Sequence, residues 1–131
     1  MSGPEGSAAA PRWRVLIVDD SRDDAELVEL ALCDAGMAID CRRVHDEAGL
    51  VEALRDFLPQ LVLSDVNLPG FSGAQALALA RAALPGVPVV LMTGALEGLD
   101  DDTPQADALV LKDELDALPA IAIRLLATGG T

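Results

Sequence analysis

A chain of 131 residues has room for one domain and not for two, and 51% apolar residues with a mean hydropathy of +0.34 exclude wholesale disorder. A formal charge of −13 repels phosphate backbones, so direct nucleic-acid binding is not expected, while basic partners or bound cations are. Cys33 and Cys41 form no disulfide framework and read as reduced packing residues; with no membrane-length apolar run and no secretory leader, the expected address is cytoplasmic.

Residues 1–12, rich in Gly, Ser, Ala and Pro, carry no apolar period and read as a disordered lead-in. Val15-Leu16-Ile17-Val18 is a short unbroken apolar run, the pattern of a strand buried on both faces. Asp19-Asp20-Ser21 ends it, and Asp20 or Ser21 suits the cap of a helix whose apolar face is Ala25, Val28, Leu32 and Ala35. Gly36 closes that helix. A second strand follows over 39–44, then a helix over 46–58 with Leu50, Leu54 and Leu58 aligned and Pro59 beyond it. Leu61-Val62-Leu63 is a third strand with Asp65 at its end, and Asn67-Leu68-Pro69-Gly70 is a turn. An Ala/Leu helix spans 72–84. Residues 88–92 and 108–111 are the fourth and fifth strands, and a last helix runs over 119–127. Between the last two strands, 96–106 holds Gly98, three consecutive aspartates and Pro104, so little helix is expected there. Residues 13–127 make the domain and 128–131 a flexible tail.

Strands alternating with helices predict a parallel sheet covered on both faces, wound open by right-handed crossovers. Ligands of such sheets bind outside the carboxyl ends of the strands. There the first strand delivers Asp19-Asp20, the third Ser64-Asp65, the fourth Thr93-Gly94 and the fifth Lys112-Asp113. Each residue alone has an ordinary explanation: an Asp after a strand caps a helix, a strand-end Thr bonds the backbone, a lone Lys is solvated. The conjunction is what points to chemistry. Carboxylates about 5 Å apart repel by roughly 3 kcal/mol per pair at an effective dielectric of about 20. A hard divalent cation such as Mg²⁺, which takes carboxylate and phosphate oxygens, gives a reason to tolerate that cost. A carboxylate beside such a cation, with an ammonium and a hydroxyl at hand, is equipped to accept a phosphoryl group. His45 is the sole histidine, which excludes a multi-histidine metal site, and reads as a strand-end surface residue. Trp13 reads as an edge packing residue just before the first strand, and Asp23, Asp24 and Glu26 as acids that favour the first helix dipole, or contact a basic partner.

In order, Val15 to Ser21, Leu63 to Gly70 with Gly73, Val90 to Gly94 and Leu109 to Asp113 resemble the receiver domain of two-component response regulators, over about 14–127. The resemblance implies a flavodoxin-like α/β fold, doubly wound, with five parallel strands in the order 2-1-3-4-5. It also implies that Asp65 is the phosphoacceptor and that Asp20, Asp65 and the Asn67 backbone carbonyl ligate Mg²⁺. Asp19 would act mostly through a metal-bound water. Thr93 would bond a phosphoryl oxygen and move toward it. Lys112 would pair with Asp65 before phosphorylation and with the phosphoryl group after it. Gly94 would leave room for that group, with the Asn67 and Ala95 side chains beside it. The phosphodonor would be a histidine kinase or a phosphotransfer protein, and the output a change in protein contacts, with neither nucleic acid nor membrane bound directly. Such a phosphoprotein is no enzyme beyond its own phosphorylation and dephosphorylation.

Three departures stand out. The position three before the Lys, usually Tyr or Phe, is Leu109, which would pack inward in both states. Thr93 and Lys112 are 19 residues apart, shorter than is common, which implies a shortened or irregular fourth helix, ordered by a signal or simply trimmed. Asp113 replaces the Pro that often follows the Lys, so a trans peptide is expected. Leu109 and the weak fourth helix leave a degenerate receiver, a constitutive interaction module, as the alternative. A phosphatase with an aspartyl intermediate would need Asp-x-Asp after the first strand, and position 21 is Ser. A stand-alone receiver and one excised from a larger protein both remain open.

Overall fold

The computed structural model describes residues 12–68, 70–94 and 106–129. The chain runs β1 (Trp13–Val18), α1 (Arg22–Asp34), β2 (Ile39–Val44), α2 (Glu47–Asp56), β3 (Leu61–Asp65), β4 (Asn67–Leu68), β5 (Phe71–Ser72), α3 (Gly73–Ala83), β6 (Val89–Thr93) and β7 (Ala108–Leu111). A 3₁₀ segment (Lys112–Ala117) then leads into α4 (Leu118–Gly129). Five strands form one parallel sheet in the order β2-β1-β3-β6-β7. Counting only these five, that is the expected order 2-1-3-4-5.

Alternation along the strands divides the core into two layers. Leu16 and Val18 of β1 pack with Val62, Val89 and Leu91 against Leu50 and Leu54 of α2 and Ala76, Leu77 and Ala80 of α3. Val15 and Ile17 pack with Leu61, Leu63, Val90 and Met92 against Val28 and Leu32 of α1 and Leu118, Ala122 and Leu126 of α4. All four residues Val15 to Val18 are therefore buried, as a central parallel strand requires. The sheet ends its ladders together. Val18 pairs with Ser64 and Asp65 with Met92, so the carboxyl ends of β1, β3 and β6 meet along one rim.

Local signals set the helix starts. Ser21 caps α1 by accepting from Asp24 N, and Asp46 caps α2 by accepting from Gly49 N. Ser72 caps α3 in a full capping box with Gln75.

Several expectations need correction. Leu58 does not continue α2: it takes φ +52°, in the left-handed region that ends a helix, is 49% exposed, and is followed by Pro59, which has no N–H to carry the helix on. Ala35 is the exposed C-cap of α1 rather than part of its buried face, and Cys33 is exposed rather than a packing residue. The turn after β3 is a short antiparallel hairpin, β4 with β5, closed at Gly70 with φ +83°. Leu109 is 40% exposed instead of inward. It alternates with Val110, which points into the α1/α4 layer, so Leu109 must face the other side of an edge strand. Trp13 opens β1 rather than preceding it. The described peptide bonds, Lys112–Asp113 among them, are all trans. The expected irregular segment 96–106 lies outside the described residues except for Ala106.

Candidate phosphoacceptor and metal site

Asp19 continues the β1 ladder, its N–H donating to Val44 O at 3.0 Å. Its side chain is fully buried and its Oδ1 accepts from Ser21 N at 2.9 Å. Arg43 of β2 donates to the Asp19 carbonyl at 3.0 Å, which ties the β1–α1 loop to the neighbouring strand. Asp20 follows and is exposed. Asp65 ends β3, half-buried, and the chain behind it is held by Val66 N to Met92 O at 2.9 Å and Gly73 N to Val66 O at 2.8 Å. Gly73 lies so close that a Cβ there would sit 3.0 Å from both the Asp65 carbonyl oxygen and Val66 Cα. Both contacts are to backbone, which yields less readily than a flexible side chain, so a larger residue here would press on the chain that carries Asp65.

Carboxylate oxygens of Asp19, Asp20 and Asp65 all lie within 4.8 Å of one another. Three hard oxygen donors in that space are the donor set a hard divalent cation takes, and no soft or nitrogen ligand competes among them. Lys112, at the end of β7, offers the counter-charge. Its Nζ donates to Asp65 Oδ2 at 3.0 Å, Asp19 Oδ2 at 3.2 Å and Asp24 Oδ2 at 2.8 Å.

The electrostatics match this geometry. Burial pushes the Asp19 carboxyl above the ordinary aspartate value; Asp65 adds to the rise, and bonds from Ser21 and Lys112 only partly oppose it. Burial alone would lower the Lys112 ammonium, but its bonds to Asp24, Asp65 and Asp19 more than offset this and hold it above the usual lysine value. Lys112 is also the only lysine of the chain. Thr93 is buried at the end of β6, one residue beyond the Asp65–Met92 pair. Gly94 follows it, and no atom of the described residues lies within 4 Å of where a Cβ would project.

The structure thus gathers Asp19, Asp20, Asp65 and Lys112, and puts Thr93 and Gly94 at the adjoining strand end. The Asn67 backbone enters the β4–β5 hairpin opposite Ser72; Ala95 lies outside the described residues. Sequence reading missed Asp24, whose place in the first turn of α1 was already explained by the helix dipole. The available signal was a solitary lysine among strand-end acids. His45 is a surface residue, 4.0 Å from the Asp46 carboxylate.

Comparison with known proteins gives the class. The response regulator receiver domain family matches residues 15–110, and the chain belongs to that family. It is 35% identical over 89 residues to the DNA-binding response regulator MtrA of Mycobacterium tuberculosis, covering 68% of this chain and 38% of MtrA. It is 34% identical over 82 residues to the DNA-binding transcriptional regulator NtrC of Escherichia coli, covering 63% of this chain and 17% of NtrC. The chain therefore matches well under half the length of these relatives. Among solved structures, a putative response regulator from Chloroflexus aurantiacus superposes with a TM-score of 0.76 at 26% identity, over 89% of this chain and 99% of that one. A CheY-like receiver domain protein from Methanospirillum hungatei gives 0.77 at 22% identity, over 92% and 98%, and supports the fold alone. The chain is a response regulator receiver domain, and its acidic triad is able to bind a metal. No helix among the described residues is long and apolar enough to cross a membrane.

Proposed function

We propose that this domain takes a phosphoryl group onto Asp65 from a phosphohistidine of a histidine kinase or phosphotransfer protein, and that the modified domain changes its protein contacts in the cytoplasm. The observation that carries this reading is Lys112 Nζ bonded to Asp65 within the Asp19–Asp20–Asp65 cluster. An Asp65 carboxylate oxygen attacks phosphorus, the P–N bond of the donor breaks, and its electron pair returns to the donor imidazole. Asp20, Asp65 and the Asn67 carbonyl would hold Mg²⁺, with Asp19 acting through a bound water; when bound, the ion neutralises charge on the phosphoryl oxygens. Lys112 follows the charge from the free carboxylate to the phosphoryl group. Thr93 donates its hydroxyl to a phosphoryl oxygen, and Gly94 leaves the space that group occupies.

The exposed aliphatic Leu109, in place of an aromatic ring, favours a second reading, a constitutive interaction module. Acetyl phosphate decides between them. The phosphoacceptor reading expects Mg²⁺-dependent gain of one phosphoryl group, lost in Asp65→Asn. Equal labelling of wild type and variant, or none in wild type, contradicts it.

A further inference from the structure

Lys112 has three carboxylate partners, and only two of them belong to the proposed metal site. The third, Asp24, makes the shortest contact, 2.8 Å. Its availability has a local cause. Asp24 is the third residue of α1, where an acidic side chain ordinarily reaches back to the N–H of the capping residue. Here that residue is Ser21, and its N–H already donates to Asp19 Oδ1 at 2.9 Å. Ser21 Oγ in turn accepts from Asp24 N at 3.2 Å, fixing the Asp24 backbone while its carboxylate turns to Lys112. Arrival of a divalent cation sets two positive charges in competition for Asp19 and Asp65, and a lysine without another partner would oppose the cation.

We infer that Asp24 is a positioning residue of the phosphoacceptor site: it anchors Lys112 outside the metal-ligand set, so the ammonium can yield Asp19 and Asp65 to the cation and stay within reach of Asp65. This rests on the receiver reading. Removing the Asp24 charge leaves Lys112 on the metal ligands, so Mg²⁺ binding weakens.

The test measures Mg²⁺ affinity by calorimetry and amide NMR on the whole chain without phosphodonor. Asp24→Asn is expected to weaken binding roughly five-fold or more, the size of a coupling between charges in contact. Asp24→Glu restores most of it. Asp23→Asn removes the same charge one residue away on an exposed side chain and costs less than about two-fold. In a Lys112→Met background, Asp24→Asn costs no more than Asp23→Asn does. Equal effects at 23 and 24, failure of Glu to restore binding, or an undiminished effect without the lysine would overturn the positioning role while leaving the receiver reading standing. Absence of Mg²⁺ binding in wild type, or its persistence in Asp65→Asn, overturns both.

Discussion

Asp19 carries the sharpest conflict between stability and use. Its folded pKa lies above the ordinary value, chiefly through burial. The unfolded chain therefore loses this proton first as pH rises. Asp19's contribution to stability is complete below the unfolded pKa and is lost as pH rises through the folded one. Asp19→Asn keeps an oxygen for Ser21 N and sheds the buried charge. We expect it to raise the stability of the metal-free protein at neutral pH by on the order of 1 kcal/mol, to flatten the pH dependence of unfolding in the acid range, and to weaken Mg²⁺ binding. Urea unfolding between acid and neutral pH checks this; a less stable variant would show that the bond to Lys112 outweighs burial and repulsion. On the alkaline side the Lys112 pairing, with its raised pKa, is lost only as pH rises beyond the usual lysine range. Cys41 behaves differently from Cys33. Burial pushes the Cys41 thiol up to about 12, so it stays protonated, whereas Cys33 is exposed on α1. Alkylation of the native protein near neutral pH should label Cys33 well ahead of Cys41, read by peptide mass; the reverse order would contradict the burial of β2.

The β3–hairpin–α3 element seats Asp65, the proposed phosphoacceptor. Gly73→Ala would ordinarily favour a helix, yet its Cβ would press on the carbonyl of Asp65 and the Cα of Val66. We expect it to destabilise the fold by about 1–3 kcal/mol, the cost of overpacking a tight site, and to weaken Mg²⁺ binding as Asp65 shifts. A stable variant with unchanged Mg²⁺ affinity would mean that the contact relaxes freely. Elements with a strong local signal were legible in the sequence: β1 through its apolar run, α1 through Ser21 and the Ala25–Val28–Leu32 spacing, and α3 through Ser72 and the alanines. Features set by tertiary contact or by competition were not. The 3₁₀ turn after Lys112 has no apolar period of its own and contains no buried residue. Leu58 fits the periodicity of α2, but its backbone is left-handed and the proline after it has no N–H to carry the helix on. Leu109, standing where the family usually has an aromatic, reads as inward-packing, but which face it takes is set by alternation with its neighbour Val110. An apolar groove of about 520 Å³ between α2 and α3, lined by Val51, Leu54, Leu58 and Leu79, includes no candidate site residue.

At the scale of the molecule, strand order converts four separated sequence segments into one cluster. Asp19 and Lys112 are 93 positions apart and meet because β1 and β7 end on the same rim. Most of the candidate site was legible for that reason: a parallel sheet places every strand end on a known edge. Asp24 escaped because it lies on a helix, and its partner is set by packing of α1 against the chain after β7. With a net charge of −13, the metal-free fold carries considerable self-repulsion. A cation that binds only the folded state should raise the melting temperature with its concentration in wild type and much less in Asp20→Asn, as mass action requires. Amide NMR of the whole chain with Mg²⁺ and the phosphoryl mimic beryllofluoride tests whether this rim receives the phosphoryl group. Shifts are expected at Asp19–Asp20, Asp65–Asn67, Thr93–Gly94 and Lys112 and absent in Asp65→Asn; shifts scattered away from this rim, or the same response in the variant, would mean that the rim is not the phosphoacceptor site.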